Sequence, residues 1–281
     1  MMHPPLSCPN CHEPLTGHDT CGCGRYYPQQ GGVIRLLAEP QGRAIRAFAA
    51  LIAAIRRSQH IPMIQPAHYA QLPNGPAGSG HEWRLRRHDL AVVRGLLGRR
   101  GPLTILDVGA WNGWLSHNLA LDGHIVTAVD YFDDTHDGLQ ARQWYPSDWR
   151  AIQCDLLDLA SLGTYDVIIL NRCLQFFGDP LSYVNAARAQ VRPGGLIILT
   201  GLQLFIDPRR KAADVMRLQE AHRTRYGFEL FLRTCKGFLE VSDARNLWRA
   251  GLTLRPYMIP SNIRTTIEPT RPLHVYGYAV G

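Results

Sequence analysis

The chain has 281 residues, enough for one large domain and a small one, and its 46% hydrophobic and 19% charged composition excludes a largely disordered protein. The 30 Lys and Arg against 23 Asp and Glu leave a net charge of +7, but the basic residues are spread along the chain, so charge alone does not select nucleic acid. No apolar run approaches the ~18 residues of a membrane span, and the start Met1-Met2-His3-Pro4-Pro5 lacks the apolar core of a secretory signal, so the expected location is the cytoplasm.

Seven cysteines are present, four of them between Cys8 and Cys23. One tight cluster in an odd total favours a metal site in a reducing compartment over a disulfide framework. Cys8, Cys11, Cys21 and Cys23 form two knuckles that can converge on one tetrahedral structural zinc ion. The second knuckle has one residue between its cysteines where two are usual, so His12 or His18 is an alternative ligand. Residues 1–40 are therefore expected to form a zinc ribbon. Loss of its metal is expected to loosen residues 1–37 and leave the rest folded.

Residues 41–57 place Ile45, Phe48, Ala49, Ile52 and Ile55 at helical spacing. Residues 62–80 are rich in Pro and Gly and are expected to be a linker within a connecting unit, 41–81. A second helix is expected over 82–97, stopping near Gly98. Apolar runs then follow at 103–108, 124–130, 149–154, 165–170 and 196–200. Helical stretches fit between them at 114–121, 135–144 and 180–191, with a short turn near Asp158. Such alternation predicts a mostly parallel sheet covered on both faces, here over 82–281. A helix over 207–226, a short one capped by Ser242, and a closing antiparallel pair at 252–259 and 273–280 complete the expectation.

The segment from Ile105 to Ser116 is a strand, a tight turn with Gly109 and Gly113, and a helix start. Glycine there lets backbone approach a ligand closely, and the helix N-terminus offers free N–H groups to an anion. Asp130 ends the next strand 21 residues after Gly109, near the ~20 expected of an acid that holds ribose hydroxyls. Asp107, at the end of the first strand, is where a nicotinamide fingerprint does not usually carry a carboxylate.

Taken in order, LDVGAWNGWLS, AVD, CDLLDL, YDVIILN and VRPGGLIIL resemble the class I S-adenosylmethionine-dependent methyltransferases, from about residue 82 to the end. The resemblance implies a Rossmann-like, doubly wound α/β fold and the methyl donor as cofactor. It implies that Gly109 and Gly113, with Ala110 between them, border the donor's methionine part, and that Asp107 reaches its amino group. Asp130 would hold the ribose, Tyr131 would lie beside the adenine, and Asp155 and Leu156 would meet the adenine's edge and face. Asn171, with Arg172, would lie between donor and acceptor. The cysteine-bearing segment resembles the zinc ribbon of the small methyltransferase-activator family.

The chain departs from the methyltransferase pattern at Trp111, where Gly is usual. The expectation is that Trp111 keeps a backbone suited to a side chain and turns outward. No catalytic base is legible. His117, His136 and Asn171 are candidates, and both histidines are read first as surface or satisfied side chains. A small molecule or glycan is the expected acceptor, for O- or N-methylation. The alternatives are RNA, read through the ribbon and Arg84, Arg86 and Arg87, or a non-catalytic scaffold. The oligomeric state is not legible.

Overall fold

The computed structural model describes residues 2–16, 19–59, 63–265 and 267–281. His18, one of the alternative zinc ligands, lies outside them. The N-terminal unit ends in a hairpin of β1 (Gln29–Gln30) and β2 (Val33–Leu36). Helix α1 (Gln41–Ser58) follows, then two 3-10 turns at Pro66–Gln71 and Pro76–Gly78, where an irregular linker was expected. Next comes α2 (His81–Leu97), which stops at Gly98 with φ of +62°.

The five central apolar runs become β3 (Thr104–Val108), β4 (Ile125–Asp130), β5 (Arg150–Cys154), β6 (Tyr165–Asn171) and β7 (Val191–Phe205). Between them lie α3 (Trp114–Leu121) and α4 (Pro180–Arg188). The helix expected over 135–144 is only a 3-10 turn, Leu139–Trp144. Its first half is replaced by an Asp134 turn whose carboxylate accepts the N–H groups of His136 and Asp137. After α5 (Arg209–Tyr226) come β8 (Leu239–Glu240), α6 (Val241–Arg249), β9 (Thr253–Pro256), α7 (Pro260–Thr265) and β10 (Leu273–Val280). Ser242 does not cap α6. Glu240 does, in a capping box whose other member, the Asp243 carboxylate, accepts the Glu240 N–H at 2.9 Å.

Among the described residues these strands make one ten-stranded sheet, in the order β1-β2-β5-β4-β3-β6-β7-β10-β9, with β8 beside β7. β2 through β7 are parallel, and β10 runs antiparallel to β7 and β9. The expected α/β class and closing antiparallel pair are both present. Successive strand residues feed opposite cores. Leu106, Val108, Ile168, Leu170, Ile197 and Leu199 enter one. Ile105, Val167, Ile169, Leu196 and Ile198 enter the other. Burial on both faces is why these runs are continuously apolar instead of alternating.

The N-terminal unit is not packed apart from the sheet. Its strand β2 extends the parallel sheet by pairing with β5, Val33 opposite Ala151 through Leu36 opposite Cys154. Leu6, Cys8, Cys21 and Tyr27 are buried in the same core as Leu156, Leu159 and Leu162. An ion pair from Arg35 to Asp133 (2.6 Å) ties the hairpin to the loop after β4.

Candidate active site

The chain runs outward from β3 to β4 and β5, then crosses back to β6 on the other side of β3. That reversal opens a crevice at the carboxyl ends of β3 and β6, where open α/β sheets bind ligands. A cleft of about 670 Å³ lies there, floored by Asp107, Gly109, Ala110, Asp130, Tyr131, Leu156 and Asn171. Helices α1 and α5 and residues 230–233 wall it. Seven of the nine residues expected to meet the donor thus share one surface. Gly113 and Asp155 do not border it.

The chemistry of the floor begins with Asp107, which is fully buried. Its Oδ2 accepts the Ser116 hydroxyl at 2.7 Å. Its Oδ1 has no partner among the described residues. Burial pushes this carboxyl up to about 7, the Ser116 hydrogen bond pulls it back, and the nearby Asp130 charge adds to the rise. Asp130 is also buried, and burial raises it too, against hydrogen bonds that favour its charged form. Its Oδ2 accepts the Trp111 N–H at 2.8 Å and its Oδ1 the Phe132 N–H at 3.0 Å. One carboxylate therefore pins the turn after β3 to the end of β4.

Gly109 has φ of +69°, and a Cβ there would stand 2.7 Å from the Cys173 Cβ, so both conformation and space require glycine. Gly113 has φ of +78° and packs on Trp149, whose ring would meet its Cβ at 2.3 Å. Its glycine serves the core that Trp114 and Trp149 fill. Asp155 accepts the Leu157 N–H and an Arg233 guanidinium N–H, the latter at 2.5 Å, and it is Arg233 that reaches the cleft wall.

Trp111 has φ of +54°, in the left-handed region, so the expected side-chain-compatible backbone is not what forms. The indole nonetheless has room and borders the cleft. It stacks on Trp83 of α2 (centroids 5.9 Å apart, planes at 29°), with the Arg86 guanidinium 5.3 Å from its centroid. The N–H bond to Asp130 and this stack hold a conformation that costs a non-glycine residue about 1–3 kcal/mol. Trp111→Gly would relieve that strain while removing a stack worth roughly 0.5–1.5 kcal/mol. Donor affinity, measured by calorimetry, is expected to change less than about threefold. A gain of about tenfold would show instead that the indole obstructs the donor.

The basic trio of α2 is not an exposed stripe. Arg84 lies by His81, and Arg87 donates to the carbonyls of Pro73 and Gly78. Arg86 borders the cleft between Trp83 and Trp111, and burial, then the neighbouring Arg172, lowers its pKa. Glu82 pairs with both Arg86 and Arg172 at 3.3 Å.

Both candidate histidines serve structure. His117 bonds Ser147 and stacks on Tyr145, and burial lowers its pKa. The His136 backbone carbonyl accepts the Tyr69 hydroxyl, and neither ring borders the cleft. Asn171 does border it, and its amide donates to the Thr200 hydroxyl and to Asp89 Oδ2. Sequence alone gives no role to Asp89, which is 1% exposed and also receives the Tyr257 hydroxyl (2.5 Å) and Arg172 Nε (2.6 Å). Its signal was its spacing: Leu85, Asp89 and Val93 are four apart, so a carboxylate stands in the buried stripe of α2. Asp89 anchors Arg172, a second non-glycine residue at positive φ (+56°), at the cleft's edge.

A family model described as a methyltransferase domain matches residues 81–227, just over half of the chain. The chain belongs to that methyltransferase-domain family. Membership agrees with the methyltransferase class expected from the sequence. Among curated relatives, the chain is 32% identical over 103 residues to the ubiquinone biosynthesis O-methyltransferase of Bordetella bronchiseptica, covering 35% of this chain and 42% of that protein. It is 31% identical over 127 residues to the protein of the same name from Colwellia psychrerythraea, covering 43% and 52%. The chain thus spans about half, or less, of the length of these relatives. Among solved structures, phosphoethanolamine N-methyltransferase 2 of Haemonchus contortus matches at TM-score 0.49 and 12% identity, over 69% of this chain and 52% of that one. Magnesium protoporphyrin IX methyltransferase of Synechocystis PCC 6803 matches at 0.48 and 16%, over 85% and 99%.

The four N-terminal sulfurs also converge, all within 4.8 Å of one another. Cys8 Sγ and Cys23 Sγ are 3.8 Å apart, and Cys11 Sγ and Cys21 Sγ 3.4 Å. His12 is not part of the cluster. No described helix is long and apolar enough to cross a membrane.

Proposed function

We propose that this methyltransferase transfers a methyl group from S-adenosylmethionine to a hydroxyl of a small molecule. The observation that carries the donor assignment is Asp107: a fully buried carboxyl with one unpartnered oxygen, on a cleft floor beside Gly109 and Asp130. A buried acceptor without a donor is costly unless a ligand completes it. A cationic amino group suits it. Arg86, on the same cleft beside the glycine turn, suits a carboxylate. An amino acid part is thereby met at both charges, and Asp130, at the end of β4, suits a ribose.

The donor supplies a methyl group already activated on a sulfonium. The chain's own residues hold it, line up the acceptor and exclude water. Tyr131 and Leu156 offer an apolar slot for a base, while Phe48, Ile52, Phe176 and Phe231 offer apolar walls for an acceptor. The cleft's volume is that of a small-molecule site, and the separate engagements of Arg84, Arg86 and Arg87 speak against an RNA track. The name of the curated relatives supports oxygen as the methylated atom.

We further propose that Cys8, Cys11, Cys21 and Cys23 hold one structural zinc ion. Metal–sulfur bonds of ~2.3 Å in a tetrahedron require sulfurs about 3.8 Å apart, close to the spacings found. The Tyr27 hydroxyl, 2.9 Å from Cys8 Sγ, would donate to the bound thiolate. Such thiolates persist in a reducing compartment, consistent with the expected cytoplasmic location.

The donor assignment is tested on Asp130. Asp130→Ala removes the ribose acceptor and also frees the Trp111 and Phe132 N–H groups, so affinity for S-adenosylhomocysteine should fall by roughly 1.5–3 kcal/mol or more. Wild-type protein giving no calorimetric response to S-adenosylmethionine or S-adenosylhomocysteine would remove the proposal.

A further inference from the structure

We infer that His222 is the residue that takes the proton from the acceptor's hydroxyl. The inference deepens the proposed function and rests on it.

His222 lies on α5 and borders the same cleft as Asp107, Gly109 and Asp130, together with Leu218 and Phe231. Its signal in the sequence was spacing. Val215, Leu218 and His222 recur at three and four residues on a helix that is otherwise strongly polar. The ring is 8% exposed and fixed on two sides. The Phe228 ring meets it edge-on at 4.8 Å, and Tyr226 lies at 5.0 Å. Tyr226 in turn accepts from Gln59, the residue just after α1, and Phe228 packs edge-on against Phe48 of α1, so the two helices that wall the cleft are joined at this point.

The hydrogen bonds settle which nitrogen is available. Nδ1 is 3.0 Å from the Phe228 carbonyl oxygen, which can only accept, so Nδ1 carries the proton. In the neutral ring Nε2 is then a bare acceptor. Among the described residues Nε2 has no hydrogen-bond partner, and it is not one of the buried, sealed-off polar atoms. A neutral imidazole oriented through one nitrogen and open at the other is the arrangement a general base requires. Asp107 and Asp130 do not compete for the role, because one is committed to Ser116 and the donor and the other to two backbone N–H groups. The charged group that acts on His222 is Glu229, held by Arg223, and Arg56 and Arg233 line the same cleft.

The step balances. The hydroxyl proton passes to Nε2. The acceptor oxygen bonds to the methyl carbon as the carbon–sulfur bond breaks, its electron pair staying on sulfur. The imidazolium then returns its proton to water, leaving a methyl ether and a thioether.

The test uses the full chain saturated with S-adenosylhomocysteine and a nitrocatechol, a hydroxyl probe whose ionised form is coloured. His222→Asn keeps an amide N–H for the Phe228 carbonyl and removes the base. The wild type should raise the ionised fraction of bound probe near pH 6 by about threefold or more over free probe. His222→Asn should lose that increase while S-adenosylhomocysteine affinity and melting temperature hold. Long-range nitrogen-15 spectra should show His222 protonated at Nδ1. Turnover of the probe should fall roughly 100-fold in the variant. Equal ionisation in both proteins, or a neutral ring in the probe-free protein that carries its proton on Nε2, overturns the base. Failure of the wild type to bind the probe while binding S-adenosylhomocysteine overturns the hydroxyl-acceptor reading beneath it.

Discussion

Removing the proposed zinc ion, by chelation or by Cys8→Ser, is expected to destabilise the whole chain in one transition and to weaken donor binding. A free-standing ribbon would predict otherwise: residues 1–37 would loosen and the sheet would stay as it was. The structure argues against that separation at three points. β2 contributes four residues of parallel pairing to β5. Cys8, Cys21, Leu6 and Tyr27 lie in the core that also holds Leu156 and Leu159. Arg35 pairs with Asp133 in the loop that follows Asp130. A structural zinc site is worth ~10–16 kcal/mol in isolated peptides. If even roughly 3 kcal/mol of that is shared with the sheet, a chain of this size should melt about 5 °C lower. Donor affinity should fall with it, because Leu156 borders the cleft and β5 positions it. Metal analysis of protein prepared under reducing conditions should find about one zinc per chain. Two separate melting transitions in the metal-free protein, with the upper one unmoved, would show that the coupling is absent. Metal-replete preparations without zinc would remove the site altogether.

The reason this coupling is not legible in the sequence also explains what is. β3, β4, β5 and β6 fall within about one residue of their apolar runs, because strands buried on both faces are written as unbroken Val, Ile and Leu between turn residues. Val33-Ile34-Arg35-Leu36 is an equally apolar run, but nothing local says that its partner is β5, more than a hundred residues away. It reads just as well as the core of a small ribbon. β7 shows the same limit. Its apolar run suggests a strand over 196–200, whereas the strand runs from Val191 to Phe205. The extension past Thr200 exists because β10 pairs with it as far as Leu204, and the start at Val191 depends on the register jump against β6 between Tyr165 and Val167. Both are tertiary facts. In the site, the residues with a local reason were legible: a glycine turn after a strand, and an acid at the next strand's end. Arg172, next to the end of β6, was legible with Asn171, whereas Arg86 and His222 owe their place in the cleft to the helices α2 and α5 that carry them. Trp111 combines the two. Its departure from glycine was visible, but the stack on Trp83 that gives the indole somewhere to go joins residues 28 apart in the chain.

Donor affinity is expected to fall as pH falls through about 7, while this same group makes the ligand-free protein more stable. Both trends follow from Asp107. Burial pushes its carboxyl up to about 7 in the folded chain, against roughly 4 when unfolded. Between those values the folded state holds a proton that the unfolded state has released. Stability contributed by this group therefore falls as pH rises through that window, and it is regained as pH falls from about 7 toward 4. The destabilisation is fully present above 7, where a carboxylate without a partner for Oδ1 stays buried. On the proposed donor assignment a bound ammonium group would complete that oxygen, so the donor would select the ionised form and have to displace the proton below 7. Affinity for S-adenosylhomocysteine should then drop about tenfold for each pH unit well below 7. Asp107→Asn accepts a hydrogen bond without the charge. It should bind weakly at every pH, with the slope gone, and its melting temperature should no longer carry this group's pH dependence. Calorimetric titrations from about pH 8 to about pH 5.5 on both proteins decide the matter, with thermal melts of the ligand-free forms as the second readout. A wild-type affinity that is flat across that range would mean that Asp107 does not meet the donor's charge. A slope that persists in Asp107→Asn would assign it to another group, and Asp130, buried beside it and also raised, is then the residue to test.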